Sequence, residues 1–102
     1  MAFLGLRLGN ETQLSVTDIQ SLAAQAEDSG YGEVWMTEGV GRDSLTQLTA
    51  MATVTSRIGL GTGILPMFSR TPLMTAMSAA GLSEVSGGRF ILGLGVGNRP
   101  AV

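Results

Sequence analysis

The chain has 102 residues, a net charge of −2 and neither cysteine nor histidine, which excludes disulfides and thiolate metal sites and removes the commonest general base and metal ligand. Its six basic residues, all arginines, are too few for the basic surface that nucleic-acid binding needs. Charged residues make up only 14% of the chain, against roughly 25% in an average globular protein, so we expect one domain that buries more surface than usual.

The first half of the chain predicts two strands that alternate with two helices. Residues 3–8 and residues 33–37 are short apolar runs typical of strands. Between them, residues 15–17 supply helix-start side chains, and Gly30 ends the helix. Asp43 is predicted as the N-cap of a second helix that runs to about Ser56. Residues at helical spacing mark the two helices, namely Ile19, Leu22, Ala23 and Ala26 in the first and Leu45, Leu48, Ala52 and Thr55 in the second.

The second half of the chain repeats this alternation. Residues 57–65 and residues 89–96 are predicted as strands, and a helix between them starts at Thr71-Pro72 and ends at Gly87-Gly88. The predicted buried face of this helix consists of Leu73, Ala76, Met77 and Ala80. Regular alternation implies an α/β fold with a parallel sheet and right-handed crossovers. In such folds ligands bind beyond the carboxyl ends of the strands.

Candidate functional residues therefore follow the predicted strands. Thr37 and Glu38 end the second strand, where they either bind a ligand or belong to a solvated loop. Gly63 and Gly97 lie at the ends of the third and fourth strands, where a ligand contact and a purely structural role are equally open. Asn98 is either a ligand contact or a turn residue.

Other conspicuous residues have structural interpretations. Gly59 and Gly93 stand inside predicted strands, where a missing side chain lets another backbone approach closely. Trp35 and Met36 stand in mid-strand and are expected to pack in a core. Without cysteine or histidine, no Ser-His-Asp triad, Cys-His pair or metal cluster can be assembled. An enzyme made of these residues would depend on a cofactor for its chemistry.

Two segments carry a resemblance to a known family. Residues 26–43, AEDSGYGEVWMTEGVGRD, and residues 55–97, which contain SRIGLGTGI and SGGRFILGLG, resemble the N-terminal part of the luciferase-like monooxygenase superfamily. They are most similar to its coenzyme F420-dependent oxidoreductases, and the match covers about residues 3–100. The resemblance implies that residues 1–102 are a single domain, a parallel βαβαβαβ half of a TIM-type (β/α)8 barrel with its first four strands and three helices.

The resemblance also implies a cofactor site at the carboxyl ends of these strands. The family binds a deazaflavin or FMN there, against a bulge at the end of the third strand that often contains a non-prolyl cis peptide. In this sequence that bulge falls at Gly63–Ile64. The implied cofactor-binding residues are Thr37, Glu38, Gly63, Ile64, Leu65, Gly97 and Asn98.

The sequence departs from the family at two positions that matter for acid–base chemistry. Many members carry a histidine just after the acid that ends the second strand, where this chain has Gly39. Some F420 enzymes carry a glutamate proton donor at the position of Asn98. Glu38 is then the acid that the resemblance leaves as a catalytic candidate, and no metal site is implied.

The implied activity is hydride transfer between F420 and a small organic substrate, with a half-barrel expected to be inactive alone. Alternatives are an FMN-dependent monooxygenase and a non-catalytic, self-assembling half-barrel. Because a half-barrel has unpaired edges and an uncovered inner face, we expect a homo-oligomer, most simply a dimer, or a complementary half-barrel as partner. No apolar run has the length of a membrane span and the N-terminus lacks a signal-peptide pattern. We therefore expect a cytoplasmic protein with no membrane or nucleic-acid partner.

Overall fold

The computed structural model describes residues 4–9, 14–38 and 43–96. These residues form helices and short strands in the order β1 (Gly5–Leu8), α1 (Val16–Asp28), β2 (Glu33–Met36), α2 (Ser44–Ala52), β3 (Gly59–Thr62), β4 (Leu65–Pro66), α3 (Pro72–Ser86), β5 (Phe90–Ile91) and β6 (Leu94–Gly95). Among the helices of these residues, none combines the length and the apolar composition that a membrane crossing requires.

All strand pairings among the described residues are parallel. Strands β1, β2, β3 and β5 lie side by side in that order, and Gly5, Glu33 and Gly59 stand opposite one another. Strands β4 and β6 form a second parallel pair, which the chain reaches directly from β3 and β5. The predicted α/β architecture is therefore confirmed. Because neighbouring strands follow the chain order, right-handed crossovers place the helices on one face of the sheet.

Capping side chains lie at the predicted helix starts, and α3 stops at its predicted glycine. The Ser15 hydroxyl accepts a hydrogen bond from the Asp18 backbone N–H at 3.0 Å, and the Asp18 carboxylate accepts one from the Ser15 N–H at 3.1 Å. This reciprocal pair is a capping box. Thr71 caps α3 in front of Pro72, and Gly87 ends that helix with a φ of 68°, a value that favours glycine.

A hydrophobic core of the described residues lies between the sheet and the helices. Val34, Met36 and Leu60 are fully buried, and they pack with Ile19 of α1 and Leu48 of α2 in the same cluster. Burial of a side chain of this size contributes about 2 kcal/mol. The expectation that Met36 packs in a core is confirmed.

The predicted buried face of α3 is wrong. All four residues expected to be buried are exposed, namely Leu73, Ala76, Met77 and Ala80. The buried residues of α3 are Leu82 and Ser86, near its C-terminus. Apolar residues occur on every side of this helix, so helical spacing selects no single face.

Helix α2 ends at Ala52, earlier than the predicted end near Ser56. The Thr55 hydroxyl donates to the Met51 carbonyl at 2.8 Å. The guanidinium of Arg89 donates to the carbonyls of Ala52 and Thr55, both at 3.1 Å. Because the Met51 and Ala52 carbonyls at the end of α2 thereby have hydrogen-bond donors, the helix can stop without a glycine.

The second face of the sheet, called the open face below, carries the residues that alternate along the strands with the buried ones. They are Gly5, Arg7, Glu33, Trp35, Gly59, Gly61 and Ile91. No helix of the described residues packs on this face, since Arg7 is exposed and Trp35 is only half-buried. Trp35 is not in the hydrophobic core cluster, so the expectation that it packs in a core is wrong.

Candidate functional site

A bulge interrupts the third predicted strand at Gly63 and Ile64. Leu60 pairs with Phe90 and Leu65 pairs with Leu94, so five residue steps on one strand face four on the other. The extra residue is the mark of a β-bulge. The bulge predicted at this position is confirmed, and the Gly63–Ile64 peptide bond is cis. The continuous strands predicted over residues 57–65 and 89–96 are wrong, because each is divided into two short strands.

Thr62 and Gly93 hold the two strands together beside the bulge. The hydroxyl of Thr62, which is fully buried, donates to the Gly93 carbonyl at 2.9 Å and accepts from the Gly93 N–H at 2.8 Å. A β-carbon at Gly93 would lie 2.3 Å from the Thr62 carbonyl oxygen. The close-approach interpretation of Gly93 is therefore confirmed. At Gly59 the approach is looser, since a β-carbon there would meet no atom nearer than 3.4 Å.

The extra residue changes which side chains face the helices. Thr62 is buried before the bulge, and Leu65 is fully buried after it, although strict alternation would place them on opposite faces. Gly63 and Ile64 consequently both border the open face. The side chain of Ile64 reaches across to β6, where a β-carbon at Gly95 would lie 2.8 Å from its Cδ1.

The indole of Trp35 occupies the open face next to the bulge. A β-carbon at Gly61 would lie 2.5 Å from its Cζ3, and one at Gly63 would lie 3.5 Å from its Cε3. The pyrrole side of the ring passes Gly5, whose β-carbon would lie 3.5 Å from Cδ1. The indole Nε1 donates to the Glu33 carboxylate at 2.9 Å. The ring thus rests on glycines of β1 and β3, and one hydrogen bond fixes its orientation.

Glu38, which follows β2, accepts hydrogen bonds from two other segments. Arg70 donates from Nη1 to Oε2 at 2.8 Å and from Nη2 to Oε1 at 3.1 Å. Ser44 donates its backbone N–H at 2.8 Å and its hydroxyl at 2.9 Å, both to Oε1. The side chain of Glu38 is only 7% exposed, so the alternative of a solvated loop acid is wrong.

Asp43 caps α2 as predicted and also contacts Arg70. Its carboxylate accepts from the Thr46 N–H at 3.2 Å, from the Thr46 hydroxyl and from the Arg70 guanidinium. Burial alone would raise the pKa of Asp43, but the Thr46 hydroxyl and the charge of Arg70 outweigh it, and the pKa is lowered. The pKa of Arg70 is raised, first by its hydrogen bond to Glu38. Within the described ranges, no group of three His, Cys, Asp or Glu side chains could hold a metal ion.

The other predicted site residues differ in where they lie. Thr37 follows β2, and its N–H donates to the Leu8 carbonyl at 3.0 Å, which places it at the carboxyl edge beside β1. Leu65 is buried on the helix side, so it borders the site with its backbone rather than its side chain. Gly97 and Asn98 lie outside the described residues.

Arg70 and Thr62 were not predicted as site residues from the sequence. Arg70 is 32 residues from Glu38 along the chain, and no local pattern in a single sequence signals such an ion pair. Thr62 gave a weak signal, because it is the polar residue inside a glycine-rich apolar run.

Known proteins resemble this chain over nearly its whole length. A family model described as luciferase-like monooxygenase matches residues 2–102. A Mycobacterium tuberculosis protein named as a coenzyme F420-dependent oxidoreductase is 42% identical over 93 residues, which cover 91% of this chain and 27% of that protein. The 4-hydroxyprotoasukamycin monooxygenase of Streptomyces nodosus subsp. asukaensis is 37% identical over 100 residues, which cover 92% of this chain and 27% of that protein. The chain thus spans about a quarter of the length of these relatives.

Solved structures share the fold. The coenzyme F420 dependent tetrahydromethanopterin reductase of Methanopyrus kandleri superposes with a TM-score of 0.89 at 35% identity, over 97% of this chain and 28% of that one. The oxygenating constituent of 3,6-diketocamphane monooxygenase from Pseudomonas putida, solved with FMN, gives a TM-score of 0.86 at 19% identity, over 96% of this chain and 30% of that one. The second likeness shows the fold alone. The predicted fold, part of a TIM-type barrel, is confirmed.

Proposed function

Because the chain belongs to the luciferase-like monooxygenase family, we propose that it supplies the first strands of an oxidoreductase that transfers a hydride between coenzyme F420 and a small organic substrate. The 42% identical relative is named for F420, and so is the reductase with the 0.89 TM-score. These two likenesses favour F420 over other cofactors.

The bulge at Gly63 and Ile64 is the observation that carries the proposal. It lies at the carboxyl end of β3, the edge at which ligands bind in parallel α/β barrels. Both residues of the bulge border the open face. Because Gly63 has no side chain, a planar ring can approach the backbone there. Thr37 lies at the same edge, and we assign Gly97 and Asn98 to the same site on the resemblance alone.

The residues of this chain would hold and orient the cofactor. A bound deazaflavin supplies the carbon that accepts or donates the hydride, whereas the protein provides orientation and excludes water. For Glu38, the contacts favour a positioning role over proton transfer, since both oxygens already accept hydrogen bonds. A proton-transfer role would require Arg70 or Ser44 to release one oxygen first.

A monooxygenase that uses FMN and oxygen is the second candidate. The 37% identical relative from Streptomyces is named as a monooxygenase, which favours this reading of the same site. Both candidates are activities of proteins about four times as long as this chain. We therefore expect the 102 residues to bind a cofactor weakly and to show no turnover alone.

Titration of the 102-residue chain with F420, and separately with FMN, tests the proposal through the absorbance and fluorescence of each cofactor. Gly63→Ala is the test variant. Its β-carbon would meet Trp35 at an ordinary contact distance of 3.5 Å, so the fold should persist, while its methyl group occupies the bulge. Gly5→Ala is the matched control, because its β-carbon meets the same indole at 3.5 Å but at the opposite end of the sheet.

The expected result is tighter binding of F420 than of FMN, with an affinity about tenfold lower in Gly63→Ala, equivalent to about 1.4 kcal/mol. Gly5→Ala should bind like the unchanged chain. Tighter binding of FMN would replace the proposal with the monooxygenase. Binding of neither cofactor would overturn both and leave the non-catalytic, self-assembling half-barrel.

A further inference from the structure

We propose that the indole of Trp35 is the floor of the cofactor site and sets how deeply the planar ring enters between the strands. This inference rests on the proposed function, because it concerns the same site beside Gly63. Trp35 would then contact a ligand, whereas its mid-strand position in the sequence favoured core packing.

The position of the indole supports this role. Its benzene side lies over Gly61 and reaches Gly63, where the Cε3 atom would be 3.5 Å from a β-carbon. The ring therefore touches the bulge from the open face, on the amino side of the strand end. A planar molecule that lies against Gly63 and moves further down the open face would meet the indole.

The indole is also held in place. A β-carbon at Gly61 would lie 2.5 Å from Cζ3 and 2.6 Å from Cε3, so the ring fits only because that position is glycine. On the other side, Nε1 donates to Glu33 at 2.9 Å, and the ring passes Gly5. A side chain restrained on both sides can serve as a fixed stop for a ligand.

The chemistry of the indole suits the proposed ligand. Aromatic rings in contact attract each other by more than the burial of their area alone would give. A deazaflavin or flavin ring at the bulge would meet a large aromatic surface beneath it. It would also lie close enough to accept excitation energy from the indole, so binding should quench the fluorescence of Trp35.

The chain contains a single tryptophan, which makes this signal unambiguous. The 102-residue chain would be titrated with F420 and with FMN while tryptophan emission and the cofactor's own signal are followed together. Trp35→Phe replaces the indole by a smaller aromatic ring. Gly61→Ala keeps the indole but forces it to move. Gly81→Ala in α3 is the control, since a β-carbon there meets nothing within 4 Å and the residue has no contact with the indole. Circular dichroism of each variant checks that the fold is kept.

The inference predicts quenching that saturates with the same dissociation constant as the cofactor signal. Trp35→Phe and Gly61→Ala should weaken binding about three- to tenfold, and Gly81→Ala should leave it unchanged. If Gly61→Ala does not fold, Trp35→Phe decides. Cofactor binding that leaves the tryptophan emission unquenched would contradict the proposed role of Trp35, and so would equal affinity in Trp35→Phe. Neither result would contradict the proposed function. Binding of neither cofactor by the unchanged chain would overturn both.

Discussion

The guanidinium of Arg70 and the carboxylate of Glu38 form a two-point contact, with N–O distances of 2.8 Å and 3.1 Å. Their side chains are 16% and 7% exposed, and Glu38 also receives the N–H of Ser44 at the start of α2. One carboxylate thereby connects the segment after β2, the start of α2 and the segment before α3. All three lie at the edge of the sheet that carries the bulge. Charge-assisted hydrogen bonds of this kind are stronger than neutral ones.

Replacement of Arg70 by alanine should lower the free energy of unfolding by about 2 kcal/mol, because the mostly buried carboxylate of Glu38 loses its cationic partner. Arg70→Lys should recover part of the loss, since an ammonium group cannot match both carboxylate oxygens with the planar fork of a guanidinium. Urea denaturation at neutral pH measures both variants. Equal stability of all three proteins would show that the contact does not stabilise the fold.

Local signals predicted the starts of the three helices correctly. Ser15, Asp43 and Thr71 each place an oxygen next to free backbone N–H groups, and this interaction needs no information from the rest of the chain. The alternation of strands and helices likewise predicted the parallel sheet, because a chain with this order of elements has few ways to bury the apolar faces of its strands and of its helices together. The ion pair between Glu38 and Arg70 depends on the tertiary fold, which explains why it was not predicted.

The strands and the third helix show where sequence patterns fail. Residues 57–65 read as one apolar run, and the bulge at Gly63 was expected from the family resemblance rather than from periodicity. Helix α3 has apolar residues on every side, so its exposed residues Leu73 and Met77 could not be separated from Leu82, which is buried. Hydrophobicity alone does not say which of several apolar faces is covered.

Gly93→Ala should destabilise the protein by at least about 2 kcal/mol, because the new methyl group would overlap the Thr62 carbonyl oxygen, and a backbone atom cannot rotate away as a flexible side chain could. A β-carbon there lies 2.3 Å from that oxygen. Gly81→Ala is the matched control in α3, where a β-carbon meets nothing within 4 Å. It should instead stabilise the helix by up to about 1 kcal/mol. Thermal and urea denaturation of both variants test this, and similar effects at the two positions would contradict the close approach.

The hydrogen bonds of the Glu27 carboxylate make the stability of the fold depend on pH. Its Oε2 accepts from the N–H groups of Ser56, Arg57 and Ile58 at 2.9, 2.6 and 2.9 Å. Burial would raise the pKa of Glu27, but these backbone hydrogen bonds and the charge of Arg57 outweigh it and lower the pKa from 4.5 to about 2. Because the pKa of Glu27 is lower in the folded than in the unfolded protein, its carboxylate stabilises the fold at every pH above the pKa of the unfolded state. That contribution is lost as the pH falls from about 4.5 to about 2.

Glu27→Gln should therefore be less stable than the unchanged protein at pH 7, and the difference should shrink as the pH approaches about 2. Glutamine keeps one oxygen acceptor but loses the charge. Asp43 also has a lowered pKa, so the difference between the two proteins is the quantity to follow, rather than the acid sensitivity of either alone. Denaturation curves across this range measure it, and a difference that stays constant with pH would contradict the assignment.

The open face predicts self-association. Within the described residues, β1 and β5 are the edges of the sheet, and Ile91 on the open face is 38% exposed. Unpaired edges and exposed apolar residues favour association between copies. A two-fold axis along the barrel axis would bring the first strand of one copy beside the last strand of the other and pair eight strands. We therefore expect a homodimer, and light scattering at micromolar concentration would measure its mass.

Substitution on the open face separates this dimer from association through the helices. Ile91→Lys places a charge on the open face and should shift the protein toward monomer, because a buried unpaired charge opposes association. Val54→Lys is the control, since Val54 is 45% exposed and follows α2 on the helix side. It should leave the dimer intact. A folded, monodisperse monomer of the unchanged chain would overturn the prediction, and dissociation by Val54→Lys alone would move the interface to the helices.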